Sequence, residues 1–246
     1  MRVVQTLQKG LAVLDYMAES GEPVRTTDVA ERFGIDKANA SRLLKTLHET
    51  GWARRTDDRR YAVGPKLQSS GENALESLLA LREATHSLLE RLVEISGECA
   101  HMAVLVGDKV WYVDKVASPQ VLRVDHPVGA LAPLHCTALG KVFLAFGART
   151  IPDELTSFTS RTLVERTALE ANLDMARRHG FASDDEEFSP GVRCAAVPLR
   201  RGDGTLVAAV GLSGPSARID QRRLGEIGRL LAERCVNLVP SRGKAA

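Results

Sequence analysis

The spacing of apolar and polar residues divides the chain into a helical first third and a remainder built largely of short strands. Residues 3 to 18 carry Val4, Leu7, Leu11, Leu14 and Ala18 at helical spacing, and Gly21-Glu22-Pro23 ends the run. This predicts a support helix. Thr26 and Thr27 are cap-type residues ahead of a second amphipathic run, Val29, Ala30 and Phe33, which Gly34 stops. Asp36 is a second N-cap, and Ala40, Leu43, Leu44 and Leu47 form one face of a third helix. At roughly 100° per residue, Ala38, Ser41, Arg42 and Lys45 point away from that face, with Lys37 and Asn39 on its flanks. After Gly51 the alternation shortens to a hairpin broken at Asp57-Asp58, with Arg54, Arg55, Arg59 and Arg60 on its tip and arms.

From Glu72 to Ile95 the pattern is again helical. Ala74, Leu78, Leu81, Thr85, Leu88, Leu92 and Ile95 alternate spacings of four and three, the seam of a helix that packs along another helix or covers its own domain. Beyond Gly97 the period changes to strands: His101–Val106 and Val110–Val116 about a Gly107-Asp108 turn, then Val121–Val124. A helix at Thr137–Phe146 follows, then one at Leu169–His179 ended by Gly180. Strands Val192–Leu199 and Leu206–Leu212 are joined by Arg201-Gly202-Asp203-Gly204, and a last helix, Gln221–Leu238, has Asp220 as its N-cap. Hairpin-linked strands with helices against them predict an antiparallel α+β domain. The expected division is 1–66, 67–96 as a linker helix, and 97–246.

Two helices joined by a tight Gly-containing turn, the second presenting polar residues near its start and followed by a basic hairpin, match a winged helix-turn-helix. Charge agrees. Residues 37 to 66 hold eight Lys or Arg against three Asp or Glu, whereas the whole chain of 246 residues reaches only +2. Arg42 can read guanine and Asn39 adenine, while Thr26, Thr27, Lys37, Ser41, Lys45, Arg59 and Arg60 suit phosphates and Ala38 fits against the groove. Past residue 66 the balance is 21 basic to 22 acidic residues, so the C-terminal part has no general affinity for nucleic acid.

No 18-residue apolar run and no secretory leader pattern occurs, which predicts a cytoplasmic protein without membrane contact. The four cysteines, at 99, 136, 194 and 235, show neither a disulfide framework nor a CxxC pair. Neither GxGxxG after a strand nor GxxxxGK[ST] is present, so no nucleotide cofactor is expected.

Longer stretches are more specific. Pro133-Leu134-His135-Cys136-Thr137-Ala138-Leu139-Gly140-Lys141 resembles the PLHxTAxGK stretch of the IclR family of bacterial transcriptional regulators. Gly180-Phe181-Ala182-Ser183-Asp184-Asp185-Glu186-Glu187 with Gly191-Val192-Arg193-Cys194 is similar to that family's GYAxDDEExxxGxRC signature, and Ser213-Gly214-Pro215 to its SGP end. With LQKGLAVLDYM and SRLLKTLHETG near the N-terminus, the resemblance covers nearly the whole chain.

It implies a winged helix, a linker helix and a C-terminal GAF-like or profilin-like effector domain. It further implies homodimers or homotetramers, and repression or activation of catabolic operons in answer to small organic acids. Carried over by position, it nominates Ala138, Leu139, Asp184, Cys194, Gly211 and Ser213 as effector-binding. A helix starting near Thr137 would offer free N–H groups at Ala138 and Leu139 to a carboxylate. Ser213 can donate and Asp184 accept. Gly211 stands where several family members have serine, which is expected to open space for a bulkier acid, aromatic or sugar-derived. Two other readings compete: a metal sensor built on Cys99, His101 and Cys136, and an enzyme with an appended DNA-binding domain. The latter lacks a nucleophile with a base in reach, since His135 and Cys136 diverge, so no catalytic residue is assigned.

Overall fold

Helix α1 (Gln5–Ser20) forms where the periodicity places it and ends at Gly21, whose φ of 66° suits a residue without a Cβ. Its buried face is offset from the expected stripe. Val13, Leu14 and Met17 face inward, whereas Val4, Leu7 and Leu11 are 66%, 61% and 53% exposed. The helix has two apolar rows, and packing against the third helix selects one of them.

In this computed structural model, which describes residues 4–235, the chain separates into two units, 1–79 and 80–246. In the first, α2 (Thr26–Phe33) begins at Thr26, so Thr26 and Thr27 are its opening residues rather than caps. The cap position is Arg25, whose N–H donates to Asp28 Oδ2 at 2.8 Å. Helix α3 (Lys37–Glu49) is capped as expected, Asp36 accepting from Asn39 N at 2.8 Å. Strands β1 (Ala53–Arg55) and β2 (Tyr61–Val63) pair antiparallel, and Val24 bridges to Tyr61 at their edge. Val13, Met17, Val29, Ala40, Leu44 and Tyr61 close the small core between them.

Helix α4 (Pro65–Ser96) runs 32 residues and crosses the boundary between the units. The predicted seam is split. Leu81, Thr85, Leu88 and Leu92 are buried in the second unit, while Ala74, Leu75 and Leu79 are exposed and Leu78 is half-buried. Burial of each leucine on its own domain contributes about 1.5–3 kcal/mol, so the C-terminal half of the seam covers this chain's own sheet. At the far end Ile95 is again half exposed.

That sheet has six antiparallel strands in the order β5-β4-β3-β8-β7-β6. These are β3 (Cys99–Val106), β4 (Lys109–Val116), β5 (Leu131–Pro133), β6 (Ala182–Asp185), β7 (Val192–Arg200) and β8 (Leu206–Pro215). The hairpins β3–β4 and β7–β8 were legible, and the central β3–β8 pairing joins them. Val121–Val124 is not a strand: the segment is irregular, Val121 is 99% exposed, and the edge position beside β4 goes to β5. β5 and β6 were not anticipated.

One face of the sheet is covered by α5 (Ala138–Phe146) and α6 (Arg166–His179), whose apolar residues share a core with Ala103, Tyr112, Ala182, Ala196 and Ala209. The other face takes the second half of α4, where Thr85 Oγ1 meets Met102 Sδ at 3.2 Å. Helix α7 (Gln221–Arg234) follows on that side, its Arg223 donating to Ser96 O at 3.3 Å. Asp220 caps α7 as expected, and the expected end at Leu238 lies outside the described residues.

Candidate functional site

Helix α3 presents Ala38, Ser41, Arg42 and Lys45 to solvent on the side away from Ala40 and Leu44, with Lys37 and Asn39 exposed at its flanks. Three of its side chains are ordered in series. Asp36 accepts from the Asn39 side chain, and Asn39 Oδ1 accepts from Arg42 Nη2 at 2.5 Å. A guanidinium held this way is pre-oriented for a bidentate contact. Lys45 pairs loosely with Glu49 at 3.6 Å. In the hairpin, Arg59 is exposed in a left-handed conformation, φ 63°, at the tip. Arg60 is half-buried and pairs with Asp58 at 2.8 Å, so it is less available than the sequence suggested. Thr27 is exposed and Thr26 half-buried at the start of α2.

The second unit contains an enclosed cavity between α5 and the sheet. Ala138, Leu139, Asp184, Cys194, Gly211 and Ser213, distant in sequence, all line it. Their convergence follows from register: Cys194 pairs with Ser213 across β7–β8, and Asp184 with Cys194 across β6–β7. Helix α5 begins at Ala138 because Thr137 caps it, its Oγ1 accepting from Gly140 N at 3.0 Å. The cap satisfies Gly140 and leaves the N–H groups of Ala138 and Leu139 without an intrahelical acceptor, at the positive end of the helix dipole. The helix sits close because residue 140 is glycine: a Cβ there would lie 2.5 Å from Leu134 Cα and O.

The accessible volume is only about 20 Å³, room for about one water. Gly211 does not enlarge it. A Cβ at 211 would lie 2.8 Å from Ala195 O and 3.1 Å from Ala196 Cβ, so the missing side chain draws β7 and β8 together. This removes the reason for expecting a bulky ligand.

Charge in the cavity wall is arranged by burial. Asp184 accepts from Glu187 N at 2.7 Å, yet burial pushes its carboxyl up to about 7, with Glu187 adding to the rise. Lys141 is fully buried and satisfied, donating to Glu187 Oε1 at 2.6 Å, Asn172 Oδ1 at 3.0 Å and Ser183 O at 3.0 Å. It ties α5 to α6, β6 and the following turn. The acidic run Asp184–Glu187 divides between cap and anchor, Asp184 accepting from the N–H groups of Glu187 and Phe188. Asp184 and Glu187 turn inward, while Asp185 and Glu186 grip Arg193 at 2.5 and 3.1 Å. Burial holds the Cys194 thiol well above its usual range, so it is a small apolar wall group without nucleophilic character.

Sequence reasoning missed Tyr112, His126 and Phe188, which also line the cavity, and considered His101 only as a metal ligand. The rings of His101, Tyr112 and His126 contact one another with centroids 5.3–5.6 Å apart. Alternation from Cys99 placed His101 on that face, but nothing in the sequence brought the loop bearing His126 over it.

On the opposite face lies the anchor of α4. An extra residue in β4, Val113, shifts the register so that Tyr112 pairs with Ala103 and Asp114 with Met102. Tyr112 therefore faces the cavity and Asp114 faces the helix, where it accepts from Arg82 Nε at 3.2 Å and pairs with His86 Nδ1 at 2.8 Å. Among the described residues no group of three or more His, Cys, Asp or Glu is placed to hold a metal, and Cys99 Sγ instead accepts from Ser118 N at 3.2 Å.

Comparison with known proteins covers both units. The profile described as bacterial transcriptional regulator IclR C-terminal matches residues 73–237, and that of the IclR helix-turn-helix domain matches residues 6–57. The chain is 32% identical to the acetate operon repressor of Salmonella typhimurium, over 93% of this chain and 86% of that one. It is 30% identical to the transcriptional regulator KdgR of Escherichia coli, over 93% and 89%. Among solved structures it resembles Thermotoga maritima IclR, with a TM-score of 0.59 at 28% identity, covering 96% of this chain and 98% of that one. The C-terminal domain of E. coli KdgR gives 0.55 at 28% identity, covering 64% and 95%.

Proposed function

As the chain belongs to the IclR family of DNA-binding bacterial transcriptional regulators, we propose that it controls a catabolic operon from the cytoplasm in answer to a small organic acid. Double-stranded operator DNA is held by the outer face of α3, from Lys37 to Lys45, with the hairpin alongside. Arg42 and Asn39 read bases, and Arg59 holds phosphate. The acid occupies the cavity of the second unit, its carboxylate on the N–H groups of Ala138 and Leu139, with Ser213 and Asp184 beside it. The observation that carries this reading is the convergence of those residues, from three separate elements, on one cavity. No cofactor takes part. The cavity admits about one water as it stands, so the acid is small, of a few carbons, and opens the cavity as it enters. Homodimers are the binding unit, because a single module rarely reaches specific affinity.

The DNA half is tested by selecting bound sequences from a random pool. Arg42→Ala is expected to cost about 1–3 kcal/mol on the selected site and to relax one position, whereas Arg59→Ala weakens selected and random DNA alike and lowers the salt slope by about one. Equal losses on both DNAs for Arg42→Ala would rule out base reading. The acid half is tested by reciprocity: an acid that changes operator affinity by some factor must bind the operator complex with affinity changed by that same factor, typically ~5–150-fold.

A further inference from the structure

His101 is 2% exposed and lines the cavity, and its two ring nitrogens are treated differently. Nδ1 lies 3.2 Å from Ser213 Oγ, whereas Nε2 is buried without any hydrogen-bond partner. Buried polar atoms are rarely left so, because the lost hydration is not recovered. The imidazole is neutral: burial, reinforced by neighbouring His126, pulls its pKa down to about 3. A neutral ring has one donor nitrogen and one acceptor. The Ser213 hydroxyl can turn to suit either tautomer, donating to Nδ1 when Nε2 carries the proton and accepting from Nδ1–H when it does not. The ring is held in place by edge contacts to Tyr112 and His126, at 5.6 and 5.5 Å between centroids. Nε2 is thus a fixed hydrogen-bonding point of adjustable polarity in a cavity whose donors for a carboxylate sit elsewhere, at the start of α5.

We infer that His101 is the specificity-determining residue of this cavity, selecting acids that carry a second oxygen, hydroxyl or oxo, over plain acids of the same carbon skeleton. This rests on the acid-binding reading proposed above. A plain acid leaves Nε2 unpaired in the complex. A hydroxy or oxo acid supplies the missing partner, and a site with a buried polar group rejects the analogue that cannot pair it.

The test uses the full chain and two matched pairs of probes: propionate against lactate, and butyrate against 2-hydroxybutyrate. Titration calorimetry on the wild type is expected to favour the oxygenated member of the binding pair by about tenfold or more. His101→Phe keeps an aromatic ring in place but removes both ring nitrogens, and the preference for the oxygenated acid is expected to collapse to about twofold or less; His101→Gln retains part of it. In the unaltered protein, the ¹⁵N resonance of His101 Nε2 should move on addition of the oxygenated acid and stay in place with the plain one, a readout that does not depend on a variant folding. A preference that survives in His101→Phe, no preference in the wild type, or an unmoved Nε2 resonance overturns the inference while leaving acid binding intact. Failure of all four probes to bind overturns the acid reading and this inference together.

Discussion

Asp184 shows how burial sets chemistry at single residues. Its folded-state pKa is raised from 3.8 to about 7, so the native state binds its proton more tightly than the unfolded chain. Stability from this group is fully present below about pH 4 and is lost as pH rises towards 7, a change on the order of 4 kcal/mol. Asp184→Asn keeps an acceptor for Glu187 N and is expected to flatten that part of the profile. With Trp52 replaced by Phe, denaturant unfolding followed by Trp111, the other tryptophan of the chain, reports on the second unit alone. Equal pH slopes in the two proteins would contradict the assignment. Lys141 is the complementary case. Removing its charge in Lys141→Met strands Glu187 in the interior and is expected to cost about 3–5 kcal/mol, much of which returns when Glu187→Leu is added. If the double variant is as unstable as the single one, Lys141 matters through Asn172 and Ser183 instead.

Helix α5 is the element on which the cavity depends, and its placement rests on Gly140. Gly140→Ala puts a methyl group where Leu134 backbone already lies, so helix and strand must separate. The expected cost is about 1–3 kcal/mol. Because Ala138 and Leu139 move with the helix, acid binding should weaken in the same variant, read by thermal unfolding and calorimetry on one sample. Unchanged acid affinity in a destabilised protein would place the carboxylate elsewhere. The β4 bulge has a comparable role on the other face: were Val113 paired in regular register, the Asp114 side chain would share a face with Tyr112, and Arg82 and His86 would lose their acceptor. One extra residue thus lets a single strand touch both the cavity and the helix that leads to the DNA-binding unit.

At the level of the whole molecule, two apolar rows stand exposed among the described residues: Val4, Leu7 and Leu11 along α1 and its cap, and Leu75 and Leu79 on the first half of α4. A second copy is the expected occupant of the α1 row. Leu7→Glu with Leu11→Glu should halve the mass in sedimentation and reduce operator affinity, whereas a full-size assembly would place the interface elsewhere. Leu81 and Leu88 are unsuitable probes, since they are buried in this chain's own sheet. The sequence alone determined what short-range rules control. Helix ends followed from Asp36, Asp220, Gly34 and Gly180, the hairpins from Gly107 and the Arg201–Gly204 turn, and the basic reading face from the polar side of α3. The six residues nominated by the resemblance line one cavity, because the β6–β7–β8 register sets Asp184, Cys194 and Ser213 side by side beneath the start of α5. Other features were settled only by tertiary packing. Which row of α1 turns inward, how the α4 seam divides, and whether Gly211 opens or closes space all depend on what lies opposite. The neutral His101, the raised Asp184 and the enclosed Lys141 belong to this second group, since a pKa answers to the water that distant segments exclude and no local pattern records that exclusion.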